Sequence, residues 1–459
     1  MPRTLLPILC AALLVVASAN GAHAAVSQSQ ANRLGNSLTP SGAVRAGSSD
    51  GVIPRWTGGD TTIPAGYEGT GDHHVDPYKD DEPRYVVTAS NLSEYRDVVP
   101  DGAAAMIEAY PDTFRMKVFP TRRNHTVPDH IAQNSRKNAV RASLVDGGNG
   151  VQNAFGGYPF PILHGSSEEK AMQAMWNHLT RWRGRYTERE FAEVVVVGGQ
   201  FQPITMRQEV FFNWNREGGS PETLDNVINY YLSTVLAPKQ YAGGGILVHE
   251  TLDQVKEPRK AWGFSAGEVR QAPSLGYDAP IASSGGLRTV DDTDVFNGAL
   301  DRFNWEYKGL QEKLIPYNNF ELSSDKYSYD EVLGDYHLNP DLTRWELHRV
   351  HVVEANLRED ARHLYHKRVF YIDEDSWNIA LADQYDDQGN LYRVTMAMLK
   401  NFYDLPGVWI DIAAYHDLKV RRYHVQGLVN ETEGSRVFKD DFPGDRYFSP
   451  FTLRRRLSE

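Results

Sequence analysis

The sequence predicts a β-dominated α+β fold built on a large, curved antiparallel sheet, and two observations carry that reading. First, residues 364–426 alternate short runs rich in aromatic and β-branched residues with turn clusters, the pattern of consecutive antiparallel strands. Second, ten or more such runs fill the second half of the chain against few helices, with no repeat of fixed length. Serial hairpins of this kind make a meander rather than a parallel sheet. Within 364–426, Arg368, Phe370 and Ile372 share one face and Val369 and Tyr371 the other. After the turn Asp373-Glu374-Asp375-Ser376, Trp377, Ile379 and Leu381 line one face, and Asn378, Ala380 and Ala382 line the other. The turn Asp386-Asp387-Gln388-Gly389-Asn390 tolerates positive φ, and Tyr392, Val394, Met396 and Met398 then resume a period of two. Faces this apolar need a cover.

Composition bounds the rest. The chain has 459 residues, 24% of them charged and 41% hydrophobic, enough for a substantial core. Residues 1–24 read as a secretory signal peptide, with Arg3 as the charged end, an apolar run from Leu5 to Ala17, and Ala22-His23-Ala24 as the cleavage site. That run falls short of the roughly 20 residues that cross a bilayer. Cys10 lies within it and is the only cysteine, so the mature chain would hold no disulfide, thiolate metal site or cysteine nucleophile. Loss of Arg3 with the signal moves the net charge from -12 to -13. Such a balance speaks against nucleic acid or an anionic bilayer as partner. The expected compartment is the periplasm of a Gram-negative bacterium. Residues 25–459 are read as one large domain: an irregular and helical part (25–185), the meander (186–430) and a C-terminal tail (431–459).

In chain order, a short helical run (27–34) precedes a Gly-, Ser-, Thr- and Pro-rich segment to Tyr67, which is expected to drape over a body. His73, His74 and Asp76 lie in a charged loop and are read as solvated rather than as metal ligands. Short helices are predicted over 90–98 and 102–110, ended by Pro111, then a strand over 114–119. Arg122 and Arg123 are read as salt-bridge partners of the protein's own acids. The glycines of 147–150 and 156–157 punctuate loops, and neither run continues into a phosphate-binding motif. The clearest helix follows, capped by Ser166 or Ser167, with Met172, Met175, Trp176, Leu179 and Trp182 along one stripe. Strands are predicted over 191–202, 204–214, 245–254, 259–264, 268–272, 303–310 and 344–357, while 226–236 fits helix and strand equally.

Few residues suggest chemistry. Gly263-Phe264-Ser265-Ala266-Gly267 matches the nucleophile elbow of hydrolases, but alternation on both sides predicts a hairpin rather than a strand entering and a helix leaving. Asp291, Asp292 and Asp294, near Asp301, miss calcium-loop spacing and are read as a solvated acidic loop. His348 and His351 fall on opposite faces of a strand, and His363 and His366 share that defect. No metal or cofactor is predicted. Arg454-Arg455-Arg456 offers a basic tail to acids of the same molecule.

A set of short motifs carries a family resemblance. They are Leu34-Gly35, Leu38-Thr39-Pro40, Gly42-Ala43, Ile53-Pro54-Arg55-Trp56-Thr57-Gly58-Gly59, Pro120-Thr121-Arg122-Arg123, Gly157-Tyr158-Pro159-Phe160-Pro161, Arg259-Lys260-Ala261-Trp262, Arg270-Gln271-Ala272-Pro273, Tyr277-Asp278, Asp301-Arg302-Phe303-Asn304-Trp305 and Pro316-Tyr317-Asn318. In this order they resemble the exported bacterial family called domain of unknown function 1329. The resemblance implies a half-open barrel similar to the lipoprotein carriers LolA and LolB, with helices on the concave side of the sheet. It also implies an outer-membrane partner and a resistance-nodulation-division type exporter, and it transfers no catalytic residue. The leading expectation is a periplasmic, non-enzymatic carrier or adaptor for a lipid, acyl or sterol-like ligand. Met172, Met175 and Trp176 from the helix, with Trp262, Trp305 and Trp377 from strands, are its expected contacts. Two alternatives stand beside it: an exported hydrolase using Ser265, and an interaction scaffold whose core is filled.

Overall fold

A computed structural model describes residues 25–265, 267–271, 277–444 and 446–458. The expected signal segment, with Cys10 and the cleavage site at Ala24, lies outside them, as do Ala266 of the glycine-flanked serine turn and Ala272-Pro273. The N-terminal part holds α1 (Gln28–Ala31), β1 (Tyr85–Val87), α2 (Asp101–Ala109), β2 (Met116–Val118), α3 (Asp129–Ala139), β3 (Ser143–Val145), β4 (Gly150–Gln152) and α4 (Ser167–Thr180). A first meander follows: β5 (Tyr186–Val197), β6 (Ile204–Phe211), α5 (Pro221–Leu224), β7 (Val227–Ala237), β8 (Gly245–Thr251), β9 (Lys260–Ser265) and β10 (Glu268–Gln271). The second comprises β11 (Phe303–Pro316), α6 (Tyr329–Val332), β12 (Trp345–Leu357), β13 (Lys367–Asp373), β14 (Ile379–Tyr385), β15 (Leu391–Phe402), β16 (Gly407–Asp417) and β17 (Arg422–Leu428). The chain ends with β18 (Val437–Lys439) and α7 (Pro450–Ser458).

All strands but β3 and β4 join one sheet, ordered β1-β2-β12-β13-β14-β15-β16-β17-β5-β6-β7-β8-β9-β10, with β11 on β12 and β18 on β5. Its pairs are antiparallel apart from one parallel bridge between Trp345 and Val118. The order does not return to its start, so the sheet is open. Bulges at Tyr307/Gly309, Tyr371/Ile372, Gln384/Tyr385 and Met398/Leu399 bend its strands. The α+β, β-dominated antiparallel fold expected from the sequence is therefore present. The ambiguous 226–236 run is strand β7, because β6 and β8 both pair with it.

Strands β14 and β16 are buried along their whole length, which requires cover on both faces. One cover is α2. Its Gly102 N–H donates to Asp383 at 3.1 Å, and the Tyr371 hydroxyl donates to the same carboxylate at 3.0 Å. On the opposite face, Ala380 and Ala382 leave room for α4 and for the segment 277–299 that links β10 to β11. There Arg181, just past α4, donates to Asn378 at 2.6 Å, and Phe296 packs on Phe370. Helix α4 starts at Ser166, whose side chain and that of Glu169 cap each other's backbone, and it lies along β11 and β12.

The irregular N-terminal segment drapes as its composition predicts, and specific bonds hold it. The Val44 N–H donates to Glu374 at 2.7 Å, its carbonyl accepts from Arg123 and Arg349, and Trp56 donates to the His125 carbonyl at 2.9 Å. Several local expectations need correction. The 90–98 helix shrinks to one tight turn at Leu92–Glu94. Helix α3 escaped prediction because it buries only Ile131, Ser135, Asn138 and Ala139, too few apolar residues for a stripe. Trp377 belongs to the turn before β14, at φ 60°, not to a strand. The C-terminal tail ends in a helix docked on β8–β10, with Arg456 paired to Glu209 as its charge predicts.

Asp383 supplies a pH test of the α2 contact. Burial, reinforced by Asp101 and opposed by the Tyr371 hydroxyl, pushes its carboxyl up to about 7. The folded state therefore holds a proton that the unfolded chain, with a carboxyl near 3.9, releases, so stability falls as pH rises from about 4 through 7. Asp383→Asn should flatten that slope and be more stable than the parent at pH 8, on the order of 2–4 kcal/mol. Urea midpoints from pH 4 to 8 check this, and an unchanged slope overturns it.

Candidate functional site

A cavity of about 500 Å³ opens on the face of the sheet that carries segment 277–299. Its floor follows the period of two across neighbouring strands: Met206, Gln208 and Val210 from β6, Ile246 and Val248 from β8, and Ala413 and Tyr415 from β16. Pro280 and Ile281 of the crossing segment form its roof, and Leu179 and Arg183 at the end of α4 close one side. The chemistry is mixed. Five arginines (183, 189, 259, 288 and 436), four acids (Glu193, Glu250, Asp294 and Asp411) and neutral polar residues such as Gln208, Asn229 and Gln426 share the lining with apolar side chains.

Most of these charges are matched. Arg183 bonds Asp294 at 2.6 Å and stacks 4.5 Å over Phe212, and burial, then neighbouring Arg181, pulls it down to about 9. Burial would raise the Glu193 carboxyl, but His424 and Arg288 hold it down to about 2. Arg288 bonds Gln426 at 2.7 Å, and Asp411 pairs with Lys400 at 2.6 Å. Arg189 bonds Gln208 at 2.9 Å without a carboxylate partner among the described residues.

The roof is pinned by a buried polar network where the sequence predicts a solvated loop. Asp291 and Asp292, expected in a solvated loop, are 2% and 0% exposed and each accepts from Arg368 at 2.7 Å. His363 adds a contact to Asp291 at 3.2 Å, and Asp294 ties Arg181 to Arg183. Charge alone suggested solvation, whereas the strand-borne Arg368 supplies the partner. His74 is likewise buried, 2.9 Å from Asp404, rather than solvated.

The six residues singled out from the sequence go elsewhere. Met172, Met175, Trp176, Trp305 and Trp377 share one large core cluster. Trp176 donates to the Gly148 carbonyl, Trp305 to that of Leu300 and Trp377 to that of Ser41, and Trp377 stacks 4.6 Å from His351. Trp262 joins a second cluster under α7, while its neighbour Ala261 faces the cavity. None of the six lines the cavity. The stripe of α4 packs in the core cluster, and Leu179 alone of its five residues also reaches the cavity wall. Arg189 and Glu193 went unnoticed because Glu188-Arg189-Glu190 reads as a solvated strand end, although two charges four apart beside Phe191 were the available signal. Arg436 sits in what composition marks as a tail.

Ser265 is exposed at the end of β9 and pairs with Glu268 of β10, so the chain leaves it as a strand. The strained strand-to-helix turn of a nucleophile elbow is not formed there. One group of metal-ligand type exists among the described residues: His348, Asp373 and Asp375, with ligand atoms within 4.8 Å. Arg123 occupies both oxygens of Asp375, at 2.7 and 2.8 Å, and Ser376 bonds Asp373. Burial, with Asp375 adding to it and His348 opposing, pushes Asp373 up to about 6. Asp375 is thus balanced by Arg123, and Asp373 is held by Ser376, so both carboxylates already have partners within the chain.

No helix among the described residues is long and apolar enough to cross a membrane. An uncharacterized protein of Pseudomonas aeruginosa is 40% identical over 435 residues, 94% of each chain. A DUF1329 family protein from Desulfovibrio piger is 13% identical, covering 59% of this chain and 92% of its own at a TM-score of 0.40. A LolA superfamily protein from Nitrosomonas europaea is 12% identical, covering 62% and 98% at 0.35. The family model described as protein of unknown function (DUF1329) matches residues 86–454, and with that span the chain belongs to the DUF1329 family.

Proposed function

We propose that this protein is a periplasmic, non-enzymatic carrier that shelters a hydrophobic ligand in the cavity under segment 277–299. The observation that supports this reading is the 500 Å³ hollow with its apolar floor, a size within the roughly 300–1,000 Å³ of small-molecule pockets. Burial of an acyl or sterol-like body there needs no directional chemistry and is worth about 25 cal/mol per Å². Cleavage of residues 1–24, on their signal-like sequence, and work beside a resistance-nodulation-division type exporter and an outer-membrane protein, on the family resemblance alone, complete the proposal.

Delipidated protein is expected to take up a fluorescent fatty acid, and native mass spectrometry of freshly purified protein to show a bound lipid. Ala261→Trp, which fills the cavity from β9, is expected to lower uptake at least tenfold with an unchanged melting temperature. Uptake that ignores this substitution would move the ligand elsewhere, with the core residues Met172, Met175, Trp176, Trp305 and Trp377 and the α7-side Trp262 as the next candidates.

A further inference from the structure

Two of the five cavity arginines lack a matching acid. Among the described residues neither Arg189 nor Arg436 has a carboxylate within ion-pair distance, and the nearby Asp411 is already held by Lys400 at 2.6 Å. Arg436 is 2% exposed and lies 3.8 Å over the Trp409 ring, yet no hydrogen bond reaches its Nε or Nη1. Arg189 bonds Gln208 through Nε and reaches only the Asp411 carbonyl, at 3.4 Å, through Nη1. An unpaired buried guanidinium is strongly unfavourable, and a ring contact offsets only part of that cost. Burial first, then the charge of Arg189, drags Arg436 well below the ordinary arginine range, and the more weakly acting Asp411 and Asp294 do not offset them. A fold that keeps one buried and one half-buried arginine without an acid partner beside a largely apolar floor is prepared for an anion that the chain itself does not supply.

We infer that the ligand of this cavity is an anionic amphiphile, whose carboxylate or phosphate head is gripped by Arg189 and Arg436 while its chain lies on Met206, Val210, Ile246 and Val248. A guanidinium matches either head with two parallel N–H bonds, which an alcohol or a sterol hydroxyl cannot accept. This inference rests on the carrier reading and narrows its ligand class.

The test compares palmitate, hexadecyl phosphate, hexadecanol and inorganic phosphate on the full-length mature protein by calorimetry and thermal shift. Palmitate and hexadecyl phosphate are expected to bind at least tenfold tighter than hexadecanol, and inorganic phosphate to shift the melting temperature little. Arg436→Met and Arg189→Gln are each expected to erase the preference for the anionic heads. Arg436→Met should also raise the melting temperature of the ligand-free protein, because it removes an unmatched buried charge. Equal affinity for palmitate and hexadecanol overturns the inference and leaves the carrier reading intact, whereas binding of neither overturns both. Inorganic phosphate that stabilises as strongly as hexadecyl phosphate makes the site one for free anions and overturns the amphiphile. A ligand-free Arg436→Met protein that melts lower and keeps its preference makes Arg436 structural and overturns its assigned role.

Discussion

Arg368→Met is expected to destabilise the protein by about 3–5 kcal/mol, the cost of leaving buried carboxylates without their cation. Arg368 is fully buried, donates to Asp291 and to Asp292 at 2.7 Å each, and rests against the rings of Phe296 and Phe370. After the substitution Asp291 keeps Thr289 and His363, and Asp292 keeps Thr289 and the Tyr365 hydroxyl, partners too weak to balance two charges. Burial alone would raise the Asp291 carboxyl, and Arg368, with His363, holds it well below the usual range. A carboxyl lowered on folding gives stability that is present above about pH 4 and lost as pH falls through the folded value. The gap between parent and variant should therefore be full at pH 7 and narrow at pH 3 in urea titrations. Arg358→Met, which removes an exposed pair with Asp360, should change nothing measurable. Because Arg368 pins the cavity roof, ligand uptake should fall with stability. A loss under 1 kcal/mol at pH 7 would overturn the assignment.

Gly42→Ala is expected to be as damaging through backbone geometry alone. Gly42 has φ of 107°, and a Cβ there would stand 1.8 Å from the Pro161 carbonyl oxygen. Neither atom is on a flexible side chain, so the draped segment must lift from the Gly157-Tyr158-Pro159-Phe160-Pro161 run or strain both strands of backbone. A cost of about 3 kcal/mol or more follows from the φ penalty and the overlap together. Gly58→Ala separates the two terms, since Gly58 also has positive φ, 131°, but meets nothing within 4 Å. Limited proteolysis should cut 37–56 readily in Gly42→Ala and far less in Gly58→Ala. Equal behaviour of the two would sink the argument.

The fold was legible where one face of a strand differed from the other. Alternation around Phe370, Ile379 and Val394 marked β13–β15 as consecutive strands, although Trp377 lies in the turn before β14, and a serine cap at Ser166 or Ser167 marked the start of α4. The site was not legible for a physical reason: its residues are polar, and a polar residue in a sequence does not say whether water or a partner satisfies it. Asp291 and Asp292 have their partner in Arg368, on a strand far along the chain. Arg436 has no acid partner among the described residues, and in the sequence it resembles any other arginine of a polar tail. Conversely, Met172, Met175, Trp176, Trp305 and Trp377, which suggested a greasy lining, pack in the core, where those three indole N–H groups bond backbone carbonyls. Their spacing was real, but packing a helix and lining a hollow ask for the same side chains.

The pairing of β5 with β17 has one more consequence. Each meander closes by local hairpins, yet β5 meets β17 only after the entire second meander has been made. A nascent chain emerging from its N-terminus must therefore wait with residues 192–197 unpaired along one side, a template on which another chain could add. Glu193 sets a charge within that waiting edge and Glu188, Arg189 and Glu190 set more just before it, and charged side chains on an unpaired edge disfavour the addition of an apolar neighbour.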